Sequence, residues 1–133
     1  MNILVAENDS EYRTVLNEAL RMYGHEVRMA ADGLEAFEVL ERNPIDLIVS
    51  DIHMPRSSGT QFHELVRGDK RFKHIPFVYI SGFAILRVAT PIDDSGHDFM
   101  VSKVPFERLI QLINDIVFAG ETQRRLGQAF GSH

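Results

Sequence analysis

An α/β fold, a parallel sheet with helices on both faces, is what this 133-residue chain predicts. Short apolar runs alternate with segments of helical period, which is the βαβα rhythm of such a sheet. The run Asp46-Leu-Ile-Val-Ser50 is apolar on successive residues, as a central strand buried on both faces must be. The length suits one ordinary domain with a real core, so no separate catalytic or DNA-binding module is expected within it.

Asn2-Ile-Leu-Val-Ala6 reads as the first strand. Ser10 follows as the expected N-cap of a helix in which Tyr12, Val15, Leu16, Ala19, Leu20 and Tyr23 recur at helical spacing until Gly24 stops it. Glu26-Val-Arg-Met-Ala30 is a second, more polar strand and is expected at an edge. Asp32-Gly33 opens a helix carrying Leu34, Phe37 and Leu40, which Asn43-Pro44 ends. After the central strand, Met54 to Gly59 forms a loop, and Phe62, Leu65 and Val66 mark a third helix. Pro76-Phe-Val-Tyr-Ile80 is the fourth strand. Phe83 to Ala89 is apolar almost all round and stops at Thr90-Pro91, so a fourth helix there is short or irregular. Asp98-Phe-Met-Val-Ser102 is the fifth strand, and Phe106, Leu109, Ile110, Ile113, Ile116 and Val117 form the stripe of a last helix. The chain thus divides into a domain over 1–118 and, over 119–133, a tail, linker stub or frayed helical extension.

Composition narrows the function. Fourteen Lys and Arg against nineteen Asp and Glu leave a net charge of −5, which argues against direct binding of nucleic acid or an anionic membrane. The absence of Cys excludes disulfides, thiolate catalysis and Cys-ligated metal centres. No apolar run approaches the roughly 20 residues of a membrane span, and the N-terminus lacks the layout of a signal peptide, so a cytoplasmic location is expected.

Open parallel sheets bind ligands beyond the carboxyl ends of their strands. The residues there are Glu7, Asn8 and Asp9 after the first strand, Asp51 after the third, Ser81 after the fourth and Lys103 after the fifth. Carboxylates suit a divalent cation such as Mg²⁺, an Asp can accept a phosphoryl group, and a Lys with a hydroxyl can neutralise the transferred oxygens. The remaining histidines, His25, His63, His74, His97 and His133, have no ligand spacing and read as surface residues.

These residues carry a resemblance. Asp46 to Pro55 with Gly59 resembles the phosphoacceptor segment of the receiver domains of two-component response regulators. Asn2 to Arg13, Gly24 to Val27, Ala31 to Ala36 and Val78 to Gly82 are similar to the same family's pattern, so the likeness covers residues 2–118. It implies a flavodoxin-like, doubly wound sheet of five parallel strands in the order 2-1-3-4-5, flanked by five helices. It also implies that Asp51 is the phosphoacceptor and that Ser81, Gly82 and Lys103 bind the phosphoryl group and switch with it. Glu7, Asn8, Asp51 and the backbone carbonyl of His53 would hold Mg²⁺ or Mn²⁺, with Asp9 as a further candidate. The implied partners are a sensor histidine kinase or phosphotransfer protein and a downstream effector. A homodimer through the face of helix four, strand five and helix five is a third.

Three departures from the family pattern stand out. The usual pair of adjacent acids is Glu7-Asn8 here, which removes one charge from the metal pocket and should weaken cation affinity. Val104 separates Lys103 from Pro105, and since a cis Lys103-Val104 bond would cost about 3 kcal/mol, a cis Val104-Pro105 bond or another loop route is expected. The position of the aromatic switch falls on Met100, with Phe99 on the opposite face of the strand. The leading reading is a phosphorylation switch that is not an independent enzyme. The alternatives are an atypical receiver that binds a partner constitutively and, more distantly, a metal-dependent phosphohydrolase with Asp51 as nucleophile.

Overall fold

The computed structural model describes residues 1–54, 56–82, 90–91 and 98–129, the backbone alone at 90–91 and 122–129. Its elements run β1 (Asn2–Ala6), α1 (Ser10–Met22), β2 (Glu26–Ala30), α2 (Gly33–Arg42), β3 (Leu47–Asp51), α3 (Gly59–Arg67), β4 (Phe77–Ser81), β5 (Thr90–Pro91), β6 (Asp98–Ser102) and α4 (Phe106–Ala129). The sheet order is β2-β1-β3-β4-β6-β5. Its first five strands are parallel, which is the expected order with β6 as fifth strand. The two-residue β5 adds an antiparallel edge, with Thr90 opposite Met100 and Pro91 opposite Phe99. The short helix expected over Phe83 to Ala89 lies outside the described residues.

Strand alternation divides the core in two. Ile3 and Val5 of β1, Leu47 and Val49 of β3, Val78 and Ile80 of β4 and Val101 of β6 face one side, where they pack with Leu16 and Leu20 of α1 and Leu109, Ile113 and Val117 of α4. Leu4, Ala6, Ile48, Phe77 and Tyr79 face the other, with Ala36 and Leu40 of α2 and Phe62 and Val66 of α3. Burial of both faces is why β1, β3 and β4 carry no polar alternation. Phe99 packs against the first core and Met100 against the second, as their adjacency requires.

Several local expectations are corrected. Asp9, not Ser10, caps α1: its Oδ1 accepts from the backbone N–H of Glu11 (3.0 Å) and Tyr12 (3.2 Å). β3 and β4 each start and end one residue later than expected, so Asp51 and Ser81 close their strands. Leu34 and Leu65 are exposed, and the buried positions of their helices are Gly33, Ala36 and Leu40, and Gly59, Phe62 and Val66. His63 is half-buried, with its ring edge-on to Phe77 and its Nε2 2.9 Å from the buried Asp98. His25 is half-buried too, its Nε2 2.9 Å from Asn114 Oδ1. The Val104-Pro105 bond, by contrast, is cis, the first of the two outcomes expected for it.

The loop after β3 is fixed by close backbone approach. Gly59 N–H donates to the Ile52 carbonyl (2.9 Å), and a Cβ at Gly59 would meet the Asp51 carbonyl oxygen far inside van der Waals contact. Gly33 N–H donates to Ser57 O (3.1 Å), and the exposed Arg56 pairs with the buried Asp32. Since backbone cannot yield as a side-chain tip can, Gly59→Ala should lower the unfolding free energy by about 1–3 kcal/mol. Urea denaturation measures this, and an unchanged midpoint would refute the crowding.

Candidate functional site

Alternation also brings the site together. Glu7 follows Val5 by two residues, Asp51 follows Val49 by two and Lys103 follows Val101 by two, so all three carry on toward the face covered by α1 and α4. The ladder extends to two of them: Glu7 N–H donates to Ala30 O (3.0 Å) and Lys103 N–H to Ser81 O (2.7 Å). Lys103 Nζ lies 2.7 Å from Asp51 Oδ2 and is also paired with Glu7 Oε1. Asp51 Oδ1 accepts from the backbone N–H of His53 at 3.0 Å. Glu7 is fully buried; its Oε2 has no hydrogen-bond partner, while Arg13 Nη1 donates to its backbone carbonyl at 2.6 Å.

Burial and pairing compete at each group. Burial, then the hydrogen bond to Asp51, raises the Glu7 carboxyl to about 7. At Asp51 burial also pushes upward, but hydrogen bonds with Glu7, Lys103 and the His53 N–H outweigh it and hold the carboxyl below its ordinary value. Burial disfavours the Lys103 ammonium, yet its bonds to Asp51 and Glu7 raise its pKa. Asp51 is thus kept ionised while Glu7 carries the cost of crowding.

Of the residues named from sequence, Glu7, Asp51 and Lys103 meet directly. Ser81 is buried at the end of β4, and Gly82 is exposed beside it. The Asn8 side chain is exposed, and so is that of His53, whose backbone alone contacts Asp51. Asp9 does not join the pocket residues, since its carboxylate is committed to the α1 cap. Met100 is half-buried on the opposite face of the sheet from Lys103. Tyr12 was legible only as part of the core stripe of α1, yet its ring lies under the Lys103 ammonium, 4.6 Å from Nζ to the ring centroid. Its place on the first turn after the rim was the available signal.

The donor set fits a hard divalent cation. Mg²⁺ commonly takes one or two protein carboxylates and keeps several waters, and the buried, unpartnered Oε2 of Glu7 beside Asp51 is an acceptor that such an ion would satisfy. Among the described residues no three His, Cys, Asp or Glu side chains gather to hold a metal. No helix among them is long and apolar enough to cross a membrane.

The family model described as the response regulator receiver domain matches residues 3–114. The chain is 32% identical over 114 residues to the response regulator receiver protein CpdR of Brucella abortus (strain 2308), covering 86% of this chain and 92% of that protein. It is 30% identical over 132 residues to the response regulator protein FleR of Pseudomonas aeruginosa, covering 98% of this chain but only 26% of FleR. The crystal structure of the receiver domain from the hybrid histidine kinase CckA superposes with a TM-score of 0.71 at 28% identity, over 87% of this chain and 98% of that one.

A pH dependence follows from Glu7. Its folded-state value is raised above the ordinary 4.5, so its contribution to stability is full below pH 4.5 and is lost as pH rises through about 7. Glu7→Gln keeps an acceptor for Lys103 but does not titrate. In chelator-containing buffer it should become more stable than the wild type as pH rises, by on the order of 1–3 kcal/mol at pH 8. Urea unfolding from pH 4.5 to 8 reads this directly, and parallel curves for the two proteins would contradict it.

Proposed function

The chain belongs to the response regulator receiver domain family, and on that premise we propose that it is a phosphorylation-dependent signalling switch with Asp51 as phosphoacceptor. A carboxylate oxygen of Asp51 attacks the phosphorus of a phosphohistidine on a sensor histidine kinase or phosphotransfer protein; the P–N bond breaks, and the imidazole leaves with its electron pair. The observation that carries this reading is the Asp51 carboxylate held ionised at the strand ends by Lys103 Nζ at 2.7 Å. Lys103 then neutralises a transferred oxygen, and the Ser81 hydroxyl at the end of β4 turns toward another. Glu7, Asp51 and the backbone carbonyl of His53, with Asn8 beside them, would hold Mg²⁺ or Mn²⁺, which would supply the further positive charge that the phosphoryl group requires. The altered charge shifts an equilibrium between two arrangements, which a downstream effector or a second copy reads. On this reading the chain turns over no diffusible substrate and acts in the cytoplasm.

One observation favours a second reading. Asn8 replaces an acid and Asp9 is diverted to the α1 cap, so a weakened cation affinity is expected. In a receiver that binds its partner constitutively, that loss would not matter. A phosphohydrolase is less well supported, since Ile52 and His53 stand where a second acid would be needed near the nucleophile.

Incubation with acetyl phosphate and Mg²⁺, followed by intact mass measurement, separates the three. The switch requires one added phosphoryl group on the wild type and none on Asp51→Asn. No adduct on the wild type supports constitutive binding, and turnover of a phosphate ester without an adduct supports the hydrolase.

A further inference from the structure

Lys103 lacks the proline that would directly follow it in the family pattern, and the Val104 that intervenes is exposed. Its ammonium is nevertheless well placed, with the side chain only 15% exposed. Two of its contacts, Glu7 and Asp51, are also the carboxylates that a cation would engage. The third is the face of Tyr12.

We infer that Tyr12 is a positioning residue, its ring face holding the Lys103 ammonium beside Asp51 by a contact that uses no carboxylate oxygen. The inference rests on the switch reading and names a residue of this chain that gives the switch its geometry. A cation over an aromatic face is attracted to the ring's negative quadrupole, and the attraction grows when both are desolvated. Tyr12 meets both conditions, being half-buried and fixed at two ends. Its backbone N–H is held by the Asp9 cap at 3.2 Å. Its ring packs edge-on against Phe106, the first residue of α4, with centroids 6.0 Å apart and planes at 85°. The ring therefore spans from α1 to the helix that follows the Lys103 loop. When Glu7 and Asp51 turn their oxygens to a cation, the ring still holds the ammonium where the phosphoryl group arrives.

The phenol hydroxyl has no part in this contact. It is buried without a hydrogen-bond partner, and burial, then the charges of Glu7 and Asp51, holds it neutral by raising its pKa. A buried hydroxyl without a partner costs stability, so removing it should spare both the fold and the cation contact. Leucine would keep an apolar helix-forming side chain and remove the π face. Tyr12→Phe and Tyr12→Leu thus divide ring from hydroxyl.

Two readouts test the inference in the full chain. The first is the NMR shift of the Lys103 ε-methylene protons, which a ring face moves upfield whether or not the protein is ever phosphorylated. They should stand upfield in the wild type and Tyr12→Phe and return to the solvated lysine position in Tyr12→Leu. The second is the initial rate of adduct formation with acetyl phosphate and Mg²⁺, expected within about twofold of wild type for Tyr12→Phe and reduced roughly tenfold for Tyr12→Leu. Thermal midpoints should show Tyr12→Phe at least as stable as the wild type; should Tyr12→Leu fail to fold, Tyr12→Met takes its place. Wild-type ε-methylene protons at the solvated position overturn the inference, as does a Tyr12→Leu rate equal to wild type. A wild type without adduct removes the switch reading, and the ε-methylene shifts then still decide whether Tyr12 holds Lys103.

Discussion

Two carboxylates and one ammonium share a desolvated corner at the ends of β1, β3 and β6, and the surrounding structure is arranged to make that tolerable. Neighbouring strands lie about 4.8 Å apart, so Lys103, just past the end of β6, must reach across β4, roughly 10 Å in all, to meet Asp51 on β3. The order β1-β3-β4-β6 sets Asp51 between Glu7 on one side and Lys103 on the other. The parallel arrangement puts their ends on one rim, and strand alternation puts their side chains on one face.

The corner is not electrically balanced. One lysine cannot satisfy four carboxylate oxygens, and the deficit falls on Glu7, whose Oε2 is buried without a partner and whose proton is correspondingly hard to remove. A buried charge of this kind costs stability unless it is paired. A core chosen for stability alone would replace Glu7 with an apolar residue, as Ile3 to Ala6 before it are all apolar. Retaining an acid there makes sense where a cation completes the pairing. Asp98 is also buried, but Arg67 Nη2 lies 2.5 Å from its carboxylate and His63 Nε2 2.9 Å.

Much of this was legible in the residues. Strands buried on both faces leave continuous apolar runs, so β1, β3 and β4 could be read to within one residue, and the rim rule then led to Glu7, Asp51 and Lys103. What was not legible had no period to betray it. β5 is two residues long and includes a proline, below the length at which alternation means anything. Asp9 and Ser10 are both good cap residues, and only the backbone angles of the folded chain choose between them. Leu34 and Leu65 matched an apolar pattern but lie off the buried stripe, because Ala36 and Gly59 make the close packing instead. Tyr12 was hidden for the opposite reason: it does belong to the core stripe, and its second contact, with Lys103, joins residues ninety-one positions apart.

Asp51 and Lys103 are held by different kinds of force. Asp51 is fixed by backbone: the His53 N–H fixes one oxygen, Gly59 packs against its carbonyl, and the Asp32–Arg56 and Gly33–Ser57 contacts hold the loop that follows. The packing of Gly59 and the two loop contacts do not depend on the charge of the Asp51 carboxylate, so the backbone that carries it stays in place when that charge changes. Lys103 is held by charge and by a ring, and its loop lacks the directly following proline that would constrain it further. Charge contacts weaken when their partners are neutralised, whereas a ring face does not change. A switch of the kind proposed above would need that division, with rigidity supplied by glycine-permitted backbone packing on one side and adjustable attraction on the other.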